Sequence, residues 1–329
     1  MLNPELKLNE KVFDEDVEQM ATREGYGEGL VELGEKNPNV VALCADLTES
    51  TKVEGFAKKF PERYFEVGVA EQNMAAIAAG LAISGKVPFI SSYATFSPGK
   101  NWETIRTTIV YNQANVKIAG HHSGIVTGPD GATHQATEDI ALMRTLPKVS
   151  VIVPCDSHQA QKATIAACSL NGPVYLRFTR DKTSVITTTD TPFEVGKVYK
   201  YFQSESPKAV IFGTGHLLYQ ALLAAGELEG EGTGVTVVNV PTIKPLDVEA
   251  VLNLVKEAGA VVCVEDHQIE GGLGGAIAEL LAGHMPAPME FIGLRNTFAE
   301  SGKPQELIEK YGLGKEAIVA AVKKVILRK

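Results

Sequence analysis

The chain has 329 residues, of which 44% are apolar and 22% charged, enough for two domains of ordinary size that each bury a core. Its formal net charge of −9, with no basic face, argues against a nucleic-acid partner, because phosphate backbones are held by clustered Lys and Arg. No apolar run reaches the roughly 18 to 20 residues of a bilayer span, and the polar, acidic N-terminal stretch is neither a signal nor a transit peptide, which together predict a cytoplasmic location.

Short apolar runs alternate with helical patterns along the chain. Strands are predicted over 40–47, 64–68, 87–93, 116–122, 149–155 and 173–178, and helices over 17–36, 71–84, 98–113, 137–145 and 157–170. Strands rich in Val and Ile on both faces, separated by helices, predict an α/β domain over 1–187 with a mostly parallel sheet flanked by helices. Thr, Ser, Asp and Pro gather across 181–207, and 188–207 reads as a linker. The pattern then restarts, with strands over 208–215, 234–240, 260–266 and 289–294 and helices over 216–226, 247–258, 272–283 and 315–327. This gives a second, smaller α/β domain over 208–329. Cys44, Cys155, Cys168 and Cys263 form no C-x-x-C pair and lie in apolar or element-end surroundings, as buried thiols of a reducing compartment do.

Chemistry concentrates in a few stretches. Glu71 heads the helix that continues "MAAIAAGLAI", which is apolar on every side and therefore expected to be buried. An acid there can simply complement the helix dipole. Alternatively it is partly desolvated, which favours its neutral form and lets it share a proton with a basic ring nitrogen. After the strand at 116–122, "HHSGIVTGPDGATHQATED" places His121, His122, Asp130 and His134 on a Gly-rich loop, where open α/β sheets bind ligands. The spacing does not match a zinc site; donors and acceptors in this mixture suit a hydroxylated or phosphorylated substrate. Arg23, Arg106 and Arg180 stand out in an acidic chain, and Arg180 follows a strand, where a guanidinium can hold phosphate by paired hydrogen bonds. The turns "GTGH" (213–216) and "EGGLGG" (270–275) are neither a dinucleotide fingerprint nor a Walker loop.

In order, "GVAEQNM", "GPDGATHQATEDIALMR", "VPCDSHQA" and "YLRFTR" resemble the pyrimidine-binding domain of transketolase. "KPLD", "VEDHQIEGGLGG" and "FAESGKPQELIEKYGL" resemble that family's C-terminal domain, so the resemblance covers nearly the whole chain. It does not extend to the pyrophosphate-binding domain, and so implies the C-terminal subunit of a split transketolase that depends on an N-terminal partner subunit. The resemblance further implies thiamine diphosphate as cofactor, with Mg2+ or Ca2+ held by that partner, no metal ligand in this chain, and self-association into a heterotetramer. Glu71 would hydrogen-bond the aminopyrimidine and favour its imino tautomer. Phe96 and Trp102 would pack on that ring and Asp46 would lie near the cofactor, while Gly99 stands where the family carries a further aromatic. His134 and Asp130 would bind hydroxyls of a ketose donor, and Arg23, Ser50, His122 and Arg180 its phosphate. Pro129 replaces the Glu that the family usually places before that Asp.

The implied reaction transfers a two-carbon ketol unit from a phosphorylated ketose to an aldose. A 1-deoxyxylulose-5-phosphate synthase or the beta subunit of a 2-oxoacid dehydrogenase shares the domain order and is the alternative within the same cofactor chemistry. A cofactor-free regulatory subunit is the alternative outside it, disfavoured by the retention of Glu71, Asp130 and His134.

Overall fold

A computed structural model describes residues 1–329. The first part of the chain supplies strands β1 (Gln19–Met20), β2 (Val40–Cys44), β3 (Tyr64–Glu66), β4 (Val87–Tyr93), β5 (Lys117–His121), β6 (Ser150–Ile152), β7 (Val174–Arg177) and β8 (Thr183–Ser184). The second supplies β9 (Tyr199–Gln203), β10 (Ala209–Gly213), β11 (Val235–Asn239), β12 (Thr242–Lys244), β13 (Val261–Gln268) and β14 (Met289–Leu294). A seven-stranded sheet runs β12-β6-β7-β5-β4-β2-β3 and a five-stranded sheet runs β14-β13-β10-β11-β9. Every pairing in them is parallel except β12 with β6 and β9 with β11, so the architecture is the mostly parallel, helix-flanked α/β arrangement expected. The reason is local. β2, β5, β7, β10 and β11 are buried at every position, as Val- and Ile-rich strands covered by helices on both faces must be.

The helices show their sequence signals at the ends. Asp156 caps Ser157–Ser169 by accepting from Gln159 N at 2.9 Å, and Asp247 caps Val248–Ala258, which stops at Gly259 with φ 71°. Gly25 lets helix Thr22–Lys36 lie against Ser157–Ser169, since a Cβ there would stand 1.9 Å from Ser157 O.

Several expectations are corrected. The helix expected from residue 17 begins at Thr22, because Gln19–Met20 pairs with Thr183–Ser184 as a two-stranded ribbon. The helix expected over 98–113 is broken into the wide turns Thr95–Lys100 and Ile105–Val110 around Trp102–Thr104, with Pro98 inside the first. Tyr199–Gln203, inside the stretch read as linker, is a strand at the edge of the second sheet. Thr242–Lys244 crosses from the second half to complete the first sheet beside β6. Val151, Val153 and Tyr175 accordingly share one buried cluster with Val210, Phe212 and Val238, so the apolar core continues across the two halves.

Helix Glu71–Ile83 is also not buried on every side. Met74, Ala75, Ala78 and Ala79 face the core, whereas Ala76 and Gly80 are exposed and Ile77 and Ile83 are 37% and 72% exposed. Phe65 and Val69, just before the helix, are exposed as well. Cys44, Cys155 and Cys263 are buried and Cys168 is half-buried, all as free thiols. No helix is long and apolar enough to cross a membrane.

Candidate functional site

Loops after the carboxyl ends of β2, β4, β5 and β7 gather on one edge of the first sheet, the place where parallel α/β sheets hold ligands. Glu71 is the first residue of its helix and only 2% exposed. Its Oε2 accepts from Lys100 Nζ at 2.8 Å, and its backbone carbonyl accepts from Asn101 Nδ2 at 2.9 Å. Lys100 is itself 46% exposed along its side chain, so the pair is a buried acid capped by a cation free to turn outward.

Phe96 comes from the same turn as Lys100. Its ring stacks with Tyr93 at 5.8 Å, and Tyr93 stacks on His122 at 3.7 Å between centroids. His134 meets Phe96 edge-on at 5.4 Å and Tyr93 at 5.9 Å. Four rings from the two segments that follow β4 and β5 therefore form one wall. His134 Nδ1 is held by Thr133 Oγ1 at 2.9 Å.

The basic residues converge beside that wall. Arg180 Nε lies 3.7 Å from Asp130 Oδ2, and Arg23 Nη1 donates to Ser50 O at 2.8 Å, so Ser50 enters through its backbone carbonyl. Arg23 Nε and His122 Nδ1 are buried without any hydrogen-bond partner. Unpaired buried polar nitrogens are costly and call for a partner, an acceptor in the case of the Arg23 N–H. Burial lowers Arg23 from the usual guanidinium range, with the Arg180 charge acting the same way. Burial first, then the charges of Arg23 and Arg180, push the His122 ring down to about 3, which keeps it neutral at pH 7.

Not every expected residue joins. His121 lies in the core between Tyr26 and Phe178, with neither ring nitrogen bonded and burial holding it well below its ordinary value. Trp102 donates its indole N–H to Leu142 O at 3.0 Å and packs on the apolar core, stacking on none of the four rings. Arg106 is exposed on the broken helix. Asp46 is exposed in a turn at φ 60°, and its amide donates to Glu66 Oε1 at 2.7 Å.

Tyr93, Lys100 and Asn101 belong to the site without having been singled out, and Glu66 shapes the neighbouring Asp46 turn. Tyr93 had a signal, since it ends a strand expected to be parallel. Glu66 had none: it fixes the Asp46 turn by accepting also from Gly68 N, Tyr64 Oη and Thr48 Oγ1. Burial would raise its carboxyl, but these bonds outweigh that and leave it below the usual range.

Two neutral buried imidazoles have a thermodynamic consequence. Unfolded His binds a proton near pH 6.5 and these rings do not, so the unfolded state holds more protons below that pH and stability falls as pH falls from about 6.5 toward 3. Each ring accounts for up to about 2 kcal/mol between pH 7 and pH 5. A urea midpoint that stays level from pH 7 to pH 5 would show that neither ring is held neutral.

The residues present fit the group that the resemblance implies. A buried carboxylate faces the turn that carries Phe96, which suits a flat heteroaromatic ring with a basic nitrogen, and the orphaned Arg23 N–H beside Arg180 and His122 suits an anionic substrate end. No cluster of three or more His, Cys, Asp or Glu is placed to hold a metal ion.

Residues 18–185 match the family model described as "Transketolase, pyrimidine binding domain" and residues 199–318 match "Transketolase, C-terminal domain". A Methanocaldococcus jannaschii chain named, provisionally, a transketolase C-terminal section is 44% identical over 91% of this chain and 94% of its own length. A 6-deoxy-6-sulfo-D-fructose transketolase subunit from a Clostridium species is 38% identical over 96% of this chain and 98% of its own. Human transketolase is 33% identical over 94% of this chain, which spans 50% of that longer protein. A solved structure described as "Split gene transketolase, inactive beta4 tetramer" superposes with a TM-score of 0.87 at 44% identity, covering 94% of this chain and 99% of that one. With both halves of the chain matched and relatives of its own length sharing over a third of its residues, the chain belongs to the transketolase family.

Proposed function

We propose that this chain is the C-terminal subunit of a two-chain transketolase, carrying a two-carbon ketol unit from a phosphorylated ketose to an aldose phosphate, and that it works only with an N-terminal subunit. The observation that carries this reading is the coincidence, on one sheet edge, of the buried Glu71 carboxylate with a four-ring wall and two unpartnered buried nitrogens, the Arg23 Nε donor and His122 Nδ1. Thiamine diphosphate, when bound, supplies the carbon nucleophile that the reaction needs. Glu71 holds or releases a proton at a ring nitrogen, Phe96 and Tyr93 exclude water, and Asp130 and His134 orient the donor's hydroxyls. Arg23, His122 and Arg180 take the anionic end of the sugar, with Ser50 positioning Arg23. Diphosphate and its Mg2+ or Ca2+ fall to the partner.

Two findings support the dependence on a partner. Phe65 and Val69, just before the Glu71 helix, and Ile77 and Ile83 along it are exposed large apolar side chains, which suit a contact with another chain. The similar split-gene structure is described as an inactive tetramer of its beta chains, which suits self-association without turnover. The Clostridium relative acts on a sulfo sugar by name, and a sulfonate would satisfy the same cations as a phosphate.

The test mixes this chain with a chain bearing the pyrophosphate-binding domain and thiamine diphosphate. Xylulose 5-phosphate with ribose 5-phosphate, 6-deoxy-6-sulfo-fructose with the same acceptor, and pyruvate are compared as substrates. Ketol transfer from one of the two ketoses by the mixture and none by this chain alone is expected. Substantial transfer by the isolated chain overturns the partner requirement, and turnover of pyruvate in place of either ketose overturns the reaction.

A further inference from the structure

The loop that carries Asp130 and His134 is closed on itself, with Gly124 N donating to Ala136 O at 2.7 Å. What fixes it in space comes from the other half of the chain. Asp266, near the carboxyl end of β13, is buried, and its Oδ1 accepts from Ile125 N at 3.0 Å while Oδ2 accepts from Val126 N at 3.5 Å. The same Oδ2 lies 3.0 Å from His216 Nε2. Gly124 is at φ 77°, and a Cβ there would stand 2.0 Å from Asp266 Oδ2, so the loop backbone rests directly on the carboxylate.

Neighbouring contacts converge on the same loop. Gln268 N donates to Thr137 O at 2.7 Å, and Arg177 Nη2 bridges Ala136 O at 3.1 Å to Asp266 O at 2.8 Å. On the far side, Gln135 Nε2 donates to Glu300 O at 3.1 Å, and a Cβ on Gly131 would stand 2.5 Å from Ser301 Oγ. A carboxylate buried under two backbone amides is a strong, directional anchor, stronger than bonds between neutral groups. Burial alone would raise Asp266, but His216 and Arg177 outweigh it and leave the group below the usual carboxylate range, so the anchor is ionised at neutral pH.

We propose that Asp266 is a positioning residue for donor binding: from the second half of the chain it sets the height and tilt of the loop that presents Asp130 and His134 to the sugar. This rests on the reading of those two residues as donor-binding groups. It gives the C-terminal half a part in the reaction although none of its side chains lines the ring wall. Glu71 and Phe96 sit on other elements and make no bond to Asp266, so the loop reaches the ring wall only through its own histidines.

The test is Asp266→Asn in the assembled two-chain enzyme. We expect kcat/KM for the ketose donor to fall by about 10²-fold, the scale of a small misplacement of reacting groups, mostly through KM, with thiamine diphosphate affinity within threefold of wild type. Amide hydrogen exchange at Ile125 and Val126 should speed up by roughly tenfold or more while β4 and β5 keep wild-type rates. His216→Ala, which leaves the carboxylate in place with one partner fewer, should show the same pattern more weakly and stands in if Asp266→Asn does not fold. Donor kinetics within twofold of wild type in a folded variant overturn the proposal, and so does exchange that accelerates equally across β4 and β5, the mark of plain destabilisation. If the wild-type assembly transfers no ketol unit, the functional reading fails by itself, and exchange at Ile125 and Val126 still decides whether Asp266 holds the loop.

Discussion

Glu71→Gln in the assembled enzyme is expected to lower kcat by about 10² to 10⁴, the range that a positioned proton-transfer group contributes, while leaving assembly and folding almost unchanged. The substitution keeps the volume of the side chain, so no cavity opens at the head of helix Glu71–Ile83. It leaves Lys100 without its counter-charge, but that ammonium is 46% exposed and can turn to solvent. A half-exposed ion pair of this kind is worth at most about 1 kcal/mol. The Asn101 bond goes to the Glu71 backbone carbonyl and survives any side-chain change. What disappears is the ability of one buried oxygen to take and return a proton. Stopped-flow or coupled assays measure the rate, and size-exclusion chromatography with circular dichroism measures assembly. Turnover within about threefold of wild type would remove Glu71 from the chemistry; a variant that fails to assemble would instead make it a structural residue of the interface.

The layers of the fold are readable along the chain because a parallel sheet buried on both faces writes itself as Val- and Ile-rich runs, and β2, β5, β10 and β11 are of that kind. Short edge elements are not readable in the same way. Thr242–Lys244 has three residues and its partner β6 is about a hundred positions away, so its pairing is decided by the packing of the two halves and by nothing local. The same contrast divides the site. Glu71, Asp130 and His134 stand in motifs whose neighbours mark them, whereas Lys100, Glu66 and Asp266 act through partners far off in sequence, at |i−j| of 29, 20 and 141. Two adjacent histidines also separate, for a reason of backbone geometry. β5 ends at His121, whose ring points into the core against Tyr26 and Phe178, and the next residue, His122 at φ 53°, turns its ring the other way onto Tyr93. The chain leaves the strand after His121 and takes left-handed backbone at His122, so one imidazole becomes packing and the other a site group. The all-round apolar look of helix Glu71–Ile83 misled in one respect only: apolar on every side means covered on every side, and in a single chain the cover of Ile77 and Ile83 has yet to arrive.

The largest effect on stability is expected from Arg177→Met. Arg177 and Asp139 form a bidentate pair, Nε to Oδ2 at 2.8 Å and Nη2 to Oδ1 at 3.1 Å, with both side chains buried. Tyr175 Oη adds a bond to Asp139 Oδ2 at 2.6 Å, and burial, which works against the guanidinium, is outweighed by Asp139, so Arg177 stays above even its usual range. Truncating the cation leaves the Asp139 carboxylate in the core with one hydroxyl and no counter-charge. Breaking a buried pair in this way costs about 3 to 5 kcal/mol, a large part of the roughly 5 to 15 kcal/mol that keeps a domain folded. Arg177 also joins Ala136 O to Asp266 O, so the loss should loosen the substrate loop at both ends and lower the urea midpoint together with donor affinity. Replacing both partners, Arg177→Met with Asp139→Leu, removes the uncompensated charge and should recover most of the stability while leaving the loop unbridged. Unfolding midpoints for the two single variants and the double variant form the cycle. A single Arg177→Met variant destabilised by less than about 1 kcal/mol would mean that Asp139 finds another partner or takes up a proton, and the buried pair would then not be what holds helix Asp139–Arg144 to β7.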